Sequence, residues 1–132
     1  MRNGAGIIVV LLLLSGASLD AQQGKKKPST PAAAKTIKSV MLATHKEKGH
    51  LVFRVRDGES TEEDNKKLLE EYRAIAEMKP PLGDMKSWTN RTNAAVAALQ
   101  DLVDKKAGAL ERVRSVTECS GCHNAHRVGG NK

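Results

Sequence analysis

Cys119, Cys122 and His123 stand in the run Cys119-Ser120-Gly121-Cys122-His123, near the end of a 132-residue chain that holds only these two cysteines. Two thiols three residues apart, with an imidazole directly after the second, have the spacing of a c-type haem attachment site. The sulfurs can add to the two vinyl groups of one haem as thioethers, and the imidazole can then bind its iron. A helix supports this chemistry, because positions i, i+3 and i+4 share a face. Two other readings compete for the same residues. A Cys-x-x-Cys redox pair needs a strand ahead of a helix, and no βαβ pattern precedes this motif. A zinc site of Cys119, Cys122, His123 and His126 draws four ligands from eight residues and crowds a tetrahedron. The expectation is therefore one covalent haem c, with His123 as the proximal iron ligand.

The opposite side of the iron sets the function. A thioether or second imidazole there gives a six-coordinate iron suited to electron transfer, whereas an apolar residue leaves a position for a small gas. Met41 and His45 are the candidates, spaced i, i+4 on one helical face. Only one of them can bind. His50 and His126 are expected at the surface.

The N-terminus points to export. Arg2 supplies a positive start, Ile7 to Leu14 is an unbroken apolar run of eight, and the small residues Ser15 to Ala17 follow. Residues 1–21 read as a signal peptide, cleaved after Ala17 or Ala21, the latter favoured. The run falls short of the ~20 apolar residues that span a bilayer, so no transmembrane anchor is expected once the signal is removed. No cysteine follows it that could carry a lipid. Export and covalent haem attachment both point to an oxidising compartment, the periplasm in a bacterium.

Residues 22–34, with Lys25-Lys26-Lys27-Pro28 and Pro31, read as a flexible linker, polar and proline-broken. Residues 35–132 are then one domain. Its three aromatics, Phe53, Tyr72 and Trp88, leave the core to Leu, Val, Ile and Ala. So small a core is marginal without a staple, and the apoprotein is expected to fold poorly.

Four amphipathic segments can be marked off by their breakers. The first runs from Lys35 to Arg56 through Ile37, Val40, Met41, Leu51, Val52 and Val55, with Gly49 as a weak point and Asp57-Gly58 as its end. The second opens at Ser60-Thr61-Glu62-Glu63, where Ser60 is expected to cap the Glu63 N–H, and ends before Pro80-Pro81-Leu82-Gly83. The third, Asp84 to Lys105, has an alanine-rich middle that permits close approach of a neighbour. The fourth runs from Ala109 into the cysteine motif. With no sustained period of two and short connections, the expected fold is all-α, an up-down antiparallel four-helix bundle.

The C-terminal stretch Cys119-Ser120-Gly121-Cys122-His123-Asn124-Ala125-His126-Arg127 resembles the class II c-type cytochromes, the cytochrome c′ and cytochrome c556 family, and the resemblance extends over about Lys35 to Val128. It implies a left-handed four-helix bundle, the motif histidine as fifth ligand and, in low-spin members, a methionine of the first helix as sixth. Lys38-Ser39-Val40-Met41 is similar to the surroundings of that methionine, which carries the role onto Met41. Arg127 falls where the family places an arginine near a haem propionate. The resemblance also allows antiparallel homodimers. Family members with an open iron often carry more aromatics than this chain, and His45 has no counterpart in the general pattern, so it stays a rival ligand.

The formal net charge is +7. Signal removal takes one charge of each sign, Arg2 and Asp20, and leaves it unchanged. A basic exported haem protein approaches acidic redox partners faster at low salt. Nucleic acid is not an expected partner, since the chain has few aromatics and no recognition motif. Nor is enzymatic activity expected, because no second, substrate-binding constellation accompanies the motif. The leading expectation is a periplasmic monohaem electron carrier. Behind it stand a five-coordinate protein that binds NO or CO, and a secreted zinc-binding module.

Overall fold

The computed structural model describes residues 35–46 and 50–129; the expected signal peptide and linker lie outside the described residues. The described residues are helical, with no strand among them. Six segments follow in order: α1 (Ile37–His45), α2 (Leu51–Asp57), α3 (Glu62–Ala76), α4 (Met85–Val103), α5 (Ala109–Val116) and α6 (Cys119–His126). None is long and apolar enough to cross a membrane.

The breakers act where the sequence puts them, with three corrections. The expected first helix is two, α1 and α2, since His50 is extended (φ −66°, ψ 165°) and starts α2 afresh. The expected fourth is also two, because Glu118 is extended (φ −65°, ψ 124°) between α5 and α6. The cap of α3 lies one residue later than expected. Thr61, not Ser60, takes the Asp64 N–H, and the Asp64 carboxylate takes the Thr61 N–H in return. Asp64 serves here because its short side chain reaches back while also meeting Arg54 at 2.6 Å. Gly58 closes α2 in the left-handed region (φ 80°), where its N–H reaches back to the Arg54 and Val55 carbonyls.

Helix α4 is the spine, packed along both α3 and α5. Leu68, Leu69 and Tyr72 of α3 meet Ala95, Ala98 and Leu99 of α4 in a core completed by Leu51, Val52 and Val55 of α2 and Val113 of α5. The buried alanines of α4 sit where the sequence allowed close approach. A second, smaller cluster of Val40, Ile75 and Trp88, with Ile37 and Met41 against it, joins α1 to α3 and α4.

The break before α6 is held from outside. Arg56 donates to the Thr117 carbonyl at 3.0 Å, while the Arg114 guanidinium donates to the Arg56 carbonyl at 2.6 Å. These paired bonds tie the end of α2 to the end of α5 just before the extended Glu118 that opens α6.

Candidate functional site

The cysteine motif opens onto a cavity of about 750 Å³ that reaches from α1 to α6. That volume lies within the roughly 300–1,000 Å³ of sites that enclose a cofactor-sized ligand. Cys119, Cys122 and His123 line one side of it, and Met41 and His45 line it from α1. Arg127 and Arg91, both exposed, stand at its rim. Every expected site residue thus borders one space, although Met41 and Cys119 are far apart in the chain.

Each side chain is placed by its local structure. Thr36 caps α1 with a reciprocal pair of bonds to Ser39, fixing the first turn of the helix that carries Met41 and His45. Cys119 is exposed and Cys122 half-buried, in keeping with residues on the first turns of a short helix. Burial pushes the Cys122 thiol up, an effect that nearby Arg91 opposes. Partial burial, with the Arg127 charge beside it, holds the His123 imidazole below its ordinary value. His123 is therefore neutral near pH 7, the form that ligates a metal.

His45 is held at both ring nitrogens. Thr44 Oγ1 donates its one hydrogen to the Val40 carbonyl at 2.7 Å, so at 2.5 Å from His45 Nδ1 it must accept. Nδ1 carries the proton. His45 Nε2 then accepts from the Tyr72 hydroxyl at 3.0 Å. Burial, first, and the His123, Arg56 and His50 charges after it lower the His45 pKa to about 4, while burial drives the Tyr72 phenol well above its ordinary range. At neutral pH the imidazole is uncharged and the phenol keeps its proton, as this pattern requires.

The depressed His45 pKa couples stability to acid. Between pH 6.5 and about 4 the unfolded chain binds a proton at His45 that the folded chain does not. The contribution is complete above pH 6.5 and lost as pH falls through 4, and is on the order of 3 kcal/mol from 1.36 kcal/mol per pH unit. Urea unfolding at pH 7 and pH 4.5 should show wild type losing more stability than His45→Ala. Equal losses would refute the coupling.

His126 departs from the expectation. It is 3% exposed, not on the surface, with Nδ1 donating to the Leu82 carbonyl at 2.9 Å and Nε2 facing Ser87 Oγ at 3.2 Å. Its ring meets Trp88 edge-on, centroids 5.2 Å apart. His50, also expected at the surface, is half-buried at the start of α2. The loop that the sequence marked only as a breaker is the seat of α6: Gly83 (φ +80°) lies so close that a Cβ there would come within 2.6 Å of the Ala125 carbonyl. Both ring nitrogens of His126 are engaged, on that loop and on α4, so it has no free lone pair for a zinc ion with Cys119, Cys122 and His123. Among the described residues, no group of three or more His, Cys, Asp or Glu stands ready to hold a metal ion.

Sequence reasoning missed Tyr72 and Arg91 as site residues. Tyr72 is packed in the larger core yet turns its hydroxyl to His45, and a phenol on an otherwise aliphatic face was the available signal. Arg91 shares the cavity wall with Trp88 and Thr92, an i, i+3, i+4 set on α4. Gly121 lets α6 approach it, since a Cβ there would lie 3.3 Å from an Arg91 terminal nitrogen. Among the described residues, the buried Trp88 Nε1 finds no hydrogen-bond partner.

The residues present fit the group that the motif implies. Two thiols and a neutral imidazole border one side of a largely apolar space, a thioether borders it from α1, and two guanidiniums suited to carboxylates stand at the rim. No protein-family model, curated protein or solved structure matches this chain.

Proposed function

We propose that the chain is an exported monohaem c-type cytochrome that carries electrons, its iron held by His123 and Met41. The observation that carries this reading is the shared cavity: the thiols and imidazole of α6 and the thioether of α1 border one space large enough for a cofactor. The haem supplies the ferric–ferrous couple. The chain's part is to attach it through Cys119 and Cys122, present a neutral imidazole at His123, and keep water from the buried faces with Ile37, Ile75 and Trp88. Arg127 and Arg91 are placed to meet its carboxylates. A methionine ligand opposite a histidine raises the reduction potential relative to two histidines, as suits a carrier.

The choice of Met41 over His45 has a physical basis. The Nε2 lone pair that would bind iron is already taken by the Tyr72 hydroxyl, whereas Met41 is half-buried with no such tie. In this reading α1 with α2, α3, α4, and α5 with α6 are the four legs of an up-down bundle, and the family resemblance is one of kind. Residues 1–21 direct export to the periplasm, and the basic surface favours acidic redox partners. Antiparallel pairing of two copies is compatible with it.

Purification from a host competent in cytochrome maturation tests the proposal. The product should be red, with a Soret band and a mass one haem above the processed polypeptide; the ferric form should show the far-red band of methionine-ligated haem. A colourless chain of bare mass would refute haem attachment. Rapid carbon monoxide binding by the reduced protein, with no far-red band when oxidised, would favour the open, gas-binding iron instead.

A further inference from the structure

We infer that Tyr72 selects the iron's sixth ligand: its hydroxyl occupies the one lone pair through which His45 could displace Met41. The inference rests on the haem reading above and extends it to a residue of α3, outside both the cysteine motif and the helix of the expected ligands. Three observations carry it. Met41 and His45 line the same cavity one helical turn apart, so both are within the space that the iron would share. The hydrogen-bond order Tyr72 O–H to His45 Nε2, His45 Nδ1–H to Thr44 Oγ1, and Thr44 O–H to the Val40 carbonyl leaves no free acceptor on the ring. Tyr72 is itself pinned, 8% exposed among Leu68, Leu69 and Leu99, so its hydroxyl cannot swing aside.

The arrangement is a poised one. A ligating histidine ordinarily donates its other ring N–H to a fixed oxygen, which sets the tautomer and raises the basicity of the binding nitrogen. His45 already has that support, through Thr44 at 2.5 Å. What keeps it from the iron is one hydroxyl group. Tyr72 is accordingly a positioning residue, acting on the metal through His45.

Tyr72→Phe in the haem-loaded protein keeps the ring in the core and removes only the oxygen. The expected result is loss of the ferric far-red band, a low-spin spectrum of two histidine ligands, and a fall in midpoint potential. Tyr72→Phe with His45→Ala should restore the band and the potential, which a merely structural role would not do. A second comparison covers a variant that folds badly: Met41→Ala alone should give a five-coordinate, high-spin iron, because Tyr72 still holds His45. If Met41→Ala becomes low-spin with two histidines while Tyr72 is intact, or if Tyr72→Phe keeps the far-red band, the inference is overturned. Those failures leave the Soret band and haem mass in place, and so differ from failure of the haem reading, which gives colourless protein.

Discussion

On the haem reading proposed above, replacing both Cys119 and Cys122 with Ser is expected to yield colourless protein of bare polypeptide mass and a large fall in thermal stability. The first effect follows from chemistry, since no other cysteine exists to hold the proposed haem. The second follows from the cavity. Cys119 is exposed and Cys122 half-buried, so the oxygen-for-sulfur change itself costs little. On that reading the variant lacks the apolar plate against Ile37, Met41, Ile75 and Trp88, which otherwise border about 750 Å³ of open space. Covering even about 120 Å² of that wall contributes about 3 kcal/mol at 25 cal/mol/Å². For a domain of this size that corresponds to about 12–24 °C in Tm. Wild-type protein made without haem maturation should melt with the double variant. A variant that melts within a few degrees of the haem-loaded protein would show that the cavity contributes nothing to folding.

Leu99→Ala is the second large effect. Leu99 is fully buried on α4, the helix against which both α3 and α5 pack, and it faces Leu68 and Tyr72 across a core closed by Val113. Removing its branched end loses transfer energy and leaves a void that three helices cannot all close upon. Leucine-to-alanine changes at such sites cost about 2.7–5 kcal/mol, a large share of the roughly 5–15 kcal/mol that holds a domain folded. Denaturant titration should show a lower midpoint and an unfolding free energy smaller by that amount. Leu82→Ala, at a residue 49% exposed, should change stability by less than about 0.5 kcal/mol. Similar losses for the two variants would contradict the assignment of α4 as the spine.

The two effects separate the domain's energetics into halves. Leu68, Leu69, Ala95, Ala98 and Leu99 form a core that closes on itself, while Val40, Ile75 and Trp88 form a small cluster beside the cavity. On the haem reading, loss of the cofactor should therefore be felt first in α1 and α6, which lie outside the larger core, and last in the α3 and α4 residues of that core. Hydrogen exchange in the cysteine-free variant would follow that order.

The helical class of the described residues, the end of α2 at Gly58, and the close-packing role of the α4 alanines were legible in the chain because each depends on local periodicity or on what one residue type permits. The break before α6 was not legible. It depends on Arg56, which meets Thr117 only after the chain has folded back across 61 residues. The burial of His126 was hidden for the same reason, since the partners that make an enclosed imidazole tolerable, Leu82 and Ser87, come from another part of the chain.

By itself, the sequence determined which residues could do chemistry: thiol spacing, the adjacent imidazole, and a methionine and histidine one turn apart are properties of order along the chain. Tertiary structure alone decided that these lie around one cavity, and that His45 has its Nε2 taken by Tyr72 from 27 residues away. A lone pair's availability depends on what is within about 3 Å in space, and no periodicity records that.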